Sequence, residues 1–151
     1  MTAKIKTPRD EMFFWFDQAR SYYESSKVLD DSEYENRIIP LITLQAFSVE
    51  CSLKAFQLCF HKEFEAGHNL QKLFNKLPLN IKDDINKKFY DLYKLDFQKC
   101  INEIKNDFVE SRYFFEQFKQ SYVGRAFATG YLDAIADFLL NYPQNNEIFP
   151  D

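Results

Sequence analysis

The chain is short of the residues that make turns. Its 151 residues include 3 Gly and 5 Pro, fewer than a sheet protein of this size needs. Few breakers leave few, long elements, which favours helices. No segment sustains the apolar–polar alternation of a half-buried strand. Cysteine is also scarce. Cys51, Cys59 and Cys100 make an odd set with no CxxC spacing, which excludes a disulfide framework and a cysteine-rich zinc site. They read as small buried hydrophobes in a reducing, cytoplasmic compartment. With only 2 His, metal ligands at useful spacing are lacking, and neither a metal nor another cofactor is expected.

A strong basic excess is missing too. The net charge is −4, so no broad nucleic-acid footprint is advertised, although a local basic patch stays open. The apolar stretches are broken by charge before ~18 residues, the length of a membrane span. Met1 to Pro8 leads into no apolar run of signal type, so no membrane contact is expected. Aromatics are plentiful: 17 Phe, 9 Tyr and one Trp. Such rings fill helical cores, and a surplus sits at interfaces. Without repeats or Gly/Ser linkers, residues 1–151 read as one domain with a core at about 9–143.

Helical periodicity predicts a first helix over Arg9–Asp30, with Met12, Trp15, Phe16, Ala19, Tyr22, Tyr23, Ser26 and Leu29 on one face. Phe13 and Phe14 lie off that face, and at least one is hard to bury. A second helix, Ile39–Glu63, is apolar nearly all round and belongs at the centre. Gly67 suits a helix stop, and Asn69 or His68 a cap for a short helix, Leu70–Leu77, closed by Pro78. Asn80 is the expected cap of a helix bearing Ile81, Ile85, Phe89 and Leu92. After a break near Asp96, Phe97, Cys100, Ile101, Ile104, Phe108 and Phe115 share a face. A last helix, Tyr122–Tyr142, aligns Phe127, Tyr131, Ala134, Ile135, Phe138 and Leu139 and stops at Pro143. An all-α antiparallel bundle of five or six helices is the expected architecture.

A narrow polar stripe interrupts the central helix. Thr43, Glu50, Lys54, Gln57 and His61 fall within a ~60° sector at the helical repeat. Buried there, Glu50 and Lys54 need partners, and at four residues' spacing they can pair with each other. Arg112 and Glu116 are also four apart, in an aromatic segment that includes Tyr113; an Arg among rings is a good anion ligand. His68, at a helix start, is the third candidate.

The run Leu41–Ala55, with Glu50 and Lys54, resembles the E-x-x-x-K helix of HEPN-type proteins. Gly67-His68-Asn69-Leu70-Gln71-Lys72-Leu73 resembles their G-H-x-L-x-x-L element, and Arg112-Tyr113-Phe114-Phe115-Glu116 their R-Y-x-Y/F-E element. The resemblance spans about Phe13 to Leu140. It implies a HEPN-like helical bundle, a homodimer, and a prokaryotic defence, abortive-infection or toxin–antitoxin setting, with an antitoxin or nucleotidyltransferase-like partner. Many such proteins are metal-independent endoribonucleases that carry an Arg followed, after four to six intervening residues, by His. Here the corresponding positions hold Gln117, Phe118 and Lys119. Arg112 stays protonated and makes a poor base, so cleavage would have to recruit His68 from another loop, or Glu116 or Glu50 with a raised pKa.

The resulting expectation is a binding or regulatory dimer in which Glu50, Lys54, His68, Arg112 and Glu116 converge. Two rivals stay open: an RNA-cleaving enzyme using Arg112 with His68, and an adaptor that docks a protein through surplus aromatics such as Phe13, Phe14 and Tyr113.

Overall fold

A helix that is apolar on nearly every side has to be surrounded. In the computed structural model, which describes residues 8–61, 63–113 and 129–146, that helix is α2 (Ile38–His61), following α1 (Pro8–Asp30). Next come α3 (Leu70–Asn75), α4 (Leu79–Tyr93), α5 (Phe97–Ile104), α6 (Asp107–Arg112) and α7 (Thr129–Asn146). α2 packs against α1, α3, α6 and α7, while α5 bridges α3, α4 and α7. Every regular element among the described residues is helical, and together they build the expected all-α bundle.

The long α1 is set by charge as well as by periodicity. Asp10 and Glu11 occupy its first turn and Lys27 its last, matching the helix dipole at both ends. Met12, Phe16, Ala19 and Ser26 are buried. Ala19 is small enough for α2 to approach closely, and Ser48 Oγ donates to its carbonyl at 2.7 Å. Phe13 and Phe14 stay exposed, as their off-face position requires. On the far side of the core Phe89 meets Phe97 and Phe138 edge to face, and Phe74 packs on Phe97. Each such ring contributes ~1.5–3 kcal/mol by leaving water.

By length and composition α2 alone among the described helices could cross a membrane, yet 67% of its apolar window is buried inside the protein. Its neighbours cover it, which is what a core helix requires.

Several boundaries differ from expectation. α2 ends at His61 and α3 at Asn75, each two residues early. Asn80 does not cap α4. The helix starts at Leu79, two residues sooner than that cap would place it, and the Pro78 carbonyl takes the amides of Ile81 and Lys82. Leu92 is on the surface while Tyr93 packs on the core, because Tyr93 continues the i, i+4 row of the buried Ile85 and Phe89. A turn at residues 105–106 separates α6 from α5. Pro143 does not stop α7, which continues to Asn146. Its missing N–H removes one bond in the last turn, where the buried ring is held by packing. Phe115, Phe127 and the expected helix start at Tyr122 lie outside the described residues.

Candidate functional site

The polar stripe of α2 faces the elements that carry the other candidates. At one end Thr43 Oγ1 meets Ser111 Oγ of α6 at 2.7 Å. At the other, Gln57 donates to the Leu73 carbonyl and accepts from the Glu65 amide, and His61 Nε2 lies 2.8 Å from the Lys76 carbonyl. Glu50 and Lys54 sit between these anchors. Glu50 is 1% exposed and Lys54 6%, so leaving either unpaired would cost several kcal/mol.

The pair is closed by three contacts. Lys54 Nζ donates to Glu50 Oε1 at 2.7 Å. His68 Nδ1 lies 3.0 Å from Oε1 and 2.9 Å from Oε2 of the same carboxylate. An ionised carboxylate accepts a hydrogen bond and cannot donate one, so Nδ1 carries the hydrogen and donates it. Among the described residues Nε2 has no hydrogen-bond partner, and 44% of the His68 side chain is open to solvent. His68 is therefore not the cap of α3. Asn69 takes that role by accepting the Lys72 amide at 3.0 Å.

Gly67 puts His68 where Glu50 can reach it. Its φ of 112° belongs to glycine alone in practice. The Leu70 amide then donates to the Lys105 carbonyl at 2.9 Å, tying the His68 segment to the turn that opens α6. α6 returns the favour through Phe108. The His68 ring lies 5.0 Å from the Phe108 ring, and the Arg112 guanidinium 4.3 Å from the same ring. Imidazole and guanidinium can be no farther apart than those two lengths laid end to end.

Arg112 is exposed at the edge of this cluster, with Tyr113 beside it: the guanidinium is 5.5 Å from the Tyr113 ring, which is 51% exposed. Below them Phe108 stacks on Phe47 at 4.9 Å, and Phe47 meets Tyr22 edge-on. Glu50, Lys54, His68, Arg112 and Tyr113 thus form one continuous patch running from core to surface. Glu116 lies outside the described residues. Cys51, next to Glu50, is no nucleophile: burial first, then the Glu50 charge, push its thiol up to about 12.

Set beside known families, the HEPN domain model matches residues 12–130, a span containing every described member of this patch. The chain belongs to the HEPN domain family. No curated protein and no solved structure matches it. In this HEPN chain the E-x-x-x-K pair is the buried base of the patch, and the Gly67-His68 turn supplies its wall.

Two features escaped the sequence reading. Trp15 and Phe64 enclose Lys54, with ring centroids 5.1 and 5.3 Å from Nζ. Trp15 reads as plain core on its helix face, and Phe64 lies in irregular chain. The second feature is Asp133 of α7, which accepts from Tyr23, Lys27 and Gln45. Its signal was available: Asp133 and Asp137 are four apart in the otherwise apolar stretch from Tyr131 to Leu140. A cavity of about 460 Å³ lies elsewhere, lined by Lys88, Asp91, Asp137, Phe138, Asn141 and Tyr142. It includes none of the candidate site residues singled out from sequence. Among the described residues no cluster of His, Cys, Asp or Glu is placed to hold a metal ion.

Proposed function

We propose that this HEPN chain is a binding or regulatory module whose patch takes a phosphate of RNA, working as a homodimer in a prokaryotic defence or toxin–antitoxin-like system. The observation that carries the reading is the placement of His68 and Arg112 on one aromatic ring, above a buried, fully paired Glu50. Arg112 offers several donors in a fixed fork, the geometry that suits a phosphate. Tyr113 offers an exposed ring on which a base can stack. A net charge of −4 gives little long-range attraction, so recognition rests on this local group. The exposed Phe13 and Phe14 on α1 support a protein interface, either the dimer seam or the contact with a nucleotidyltransferase-like partner.

A second reading is favoured by one detail. A histidine oriented at Nδ1 by a buried carboxylate, with no partner at Nε2 among the described residues, is the arrangement of a general base. Beside Arg112, which would stabilise developing phosphorane charge, it supports metal-independent RNA cleavage.

The two readings separate in one experiment. Purified protein is incubated with 5′-labelled single-stranded and hairpin RNA in EDTA, and both retention and cleavage are followed. Retention without cleavage, lost in Arg112→Ala, supports the module. Cleavage lost in both Arg112→Ala and His68→Ala, with the fold intact, supports the enzyme. RNA neither bound nor cut at low salt overturns both.

A further inference from the structure

Lys54 has more around it than its carboxylate. Trp15 of α1 and Phe64 of the segment after α2 meet edge to face, with centroids 5.4 Å apart and an interplanar angle of 74°. Both rings lie within cation–π reach of Nζ. The ammonium is therefore fixed from two directions by rings and from a third by Glu50 Oε1. That placement matters to His68. A carboxylate fixed at one oxygen by Lys54 has a set plane, and it meets His68 Nδ1 with both oxygens at nearly equal distance. An ionised carboxylate only accepts, so the neutral ring must keep its proton on Nδ1 and leave Nε2 as an acceptor.

We propose that Trp15 and Phe64 are positioning residues for His68: they cage Lys54, Lys54 fixes Glu50, and Glu50 holds the neutral imidazole in its Nδ1–H tautomer with Nε2 offered to the ligand. This deepens the reading of the patch as an RNA-phosphate site and rests on it for its consequence. An acceptor at Nε2 beside a donor fork at Arg112 matches a ribose 2′-hydroxyl beside its phosphate, and DNA lacks that hydroxyl. The relay makes His68 a specificity-determining residue for RNA over DNA.

The test uses the full chain, uniformly ¹⁵N-labelled, with long-range ¹H–¹⁵N correlation of the imidazoles at pH ~8, above the ordinary histidine range. The chain has 2 His residues, so His61→Asn assigns the spectrum, and His61 is the internal control in every other sample. The wild type is expected to show His68 with a protonated Nδ1 and a bare Nε2. In Glu50→Gln, Lys54 keeps the side-chain oxygen and the amide NH₂ faces Nδ1, so the tautomer inverts. Trp15→Leu and Phe64→Leu move His68 toward a mixture of tautomers, and Trp15→Phe restores the wild-type pattern. If Trp15→Leu loses the fold, Phe64→Leu, outside any helix, carries the same comparison.

A wild-type His68 protonated at Nε2, or a tautomer unmoved in Phe64→Leu, overturns the proposal. The ligand arm measures a 12-nucleotide RNA against its DNA counterpart. The wild type is expected to prefer RNA by about tenfold, as one lost hydrogen bond predicts, and Glu50→Gln to lose that preference. Tautomers that shift as stated, with no RNA bound, support the positioning role and overturn the proposed function alone.

Discussion

Replacing Lys54 by Met probes how the buried charges are held. Methionine keeps the length of the aliphatic stem and packs well against Trp15 and Phe64, so the lost cation dominates the effect. It leaves Glu50, 1% exposed, with His68 as its remaining partner among the described contacts. Removing one member of a buried pair costs ~3–5 kcal/mol. His68 still donates to both oxygens, so the low end, about 3 kcal/mol, is expected. Glu50→Gln is milder, ~1–3 kcal/mol, because Lys54 keeps an oxygen to donate to and two ring faces. The double variant Glu50→Leu with Lys54→Met contains no orphaned charge, and is expected to be more stable than Lys54→Met alone. Urea unfolding followed by circular dichroism measures all four proteins, with unchanged m-values as the condition for comparing them. A Lys54→Met protein within ~0.5 kcal/mol of wild type would refute the reasoning, since that is the scatter of ordinary surface changes. So would a double variant no more stable than Lys54→Met alone.

Other outcomes follow from single features. Gly67→Ala meets no atom within 4 Å of the added Cβ, so its cost is backbone strain alone, ~1–3 kcal/mol by urea unfolding; no change would mean the turn is not held at φ 112°. Tyr23 is pushed up from 10.0 to about 12, by burial first and by the Asp133 charge. A raised phenol contributes stability that is complete below pH 10 and lost as pH climbs toward 12, so spectrophotometric titration should find Tyr23 ionising late, and early ionisation would contradict its burial. The Tyr142 hydroxyl, and then Lys88, hold the Asp84 carboxyl below its ordinary 3.8. Its contribution is therefore present above that value and lost as pH falls through the lowered one, and Asp84→Asn should flatten the acid limb of stability. Phe13→Ser with Phe14→Ser should shift the light-scattering mass from dimer to monomer; a wild-type monomer at micromolar concentration would remove the dimer and this role for the rings.

The fold was largely legible because its signals are local. The all-round apolarity of residues 39–60 permits only a central helix, and the shortage of Gly and Pro leaves little but helices to build with. The boundaries were less legible, because packing decides them. Pro143 was read as a stop, yet its buried ring lets α7 run on. Asn80 was read as a cap, yet Pro78 opens the helix sooner. Within the site, the i, i+4 spacing was enough to pair Glu50 with Lys54. The docking of His68 on Glu50 was open only as a convergence of unusual residues, since it depends on the positive φ of Gly67 and on where α3 packs. Lys54's aromatic cage was invisible, because a tryptophan on an apolar face and a phenylalanine in irregular chain carry no mark of a shared cation. Arg112 proved more exposed than a member of a buried cluster should be; α6 is short, and its last turn ends at the surface.

The most direct test is whether His68 and Arg112 act as one site. Fluorescence anisotropy with a short single-stranded RNA, at low and at physiological salt, measures wild type, His68→Ala, Arg112→Ala and the double variant. Each single change is expected to weaken binding about tenfold or more, and the double by less than the product of the two, because His68 and Arg112 hold the 2′-hydroxyl and the phosphate of one nucleotide. Multiplicative losses, or single variants that bind as tightly as wild type, would contradict a shared site above Glu50.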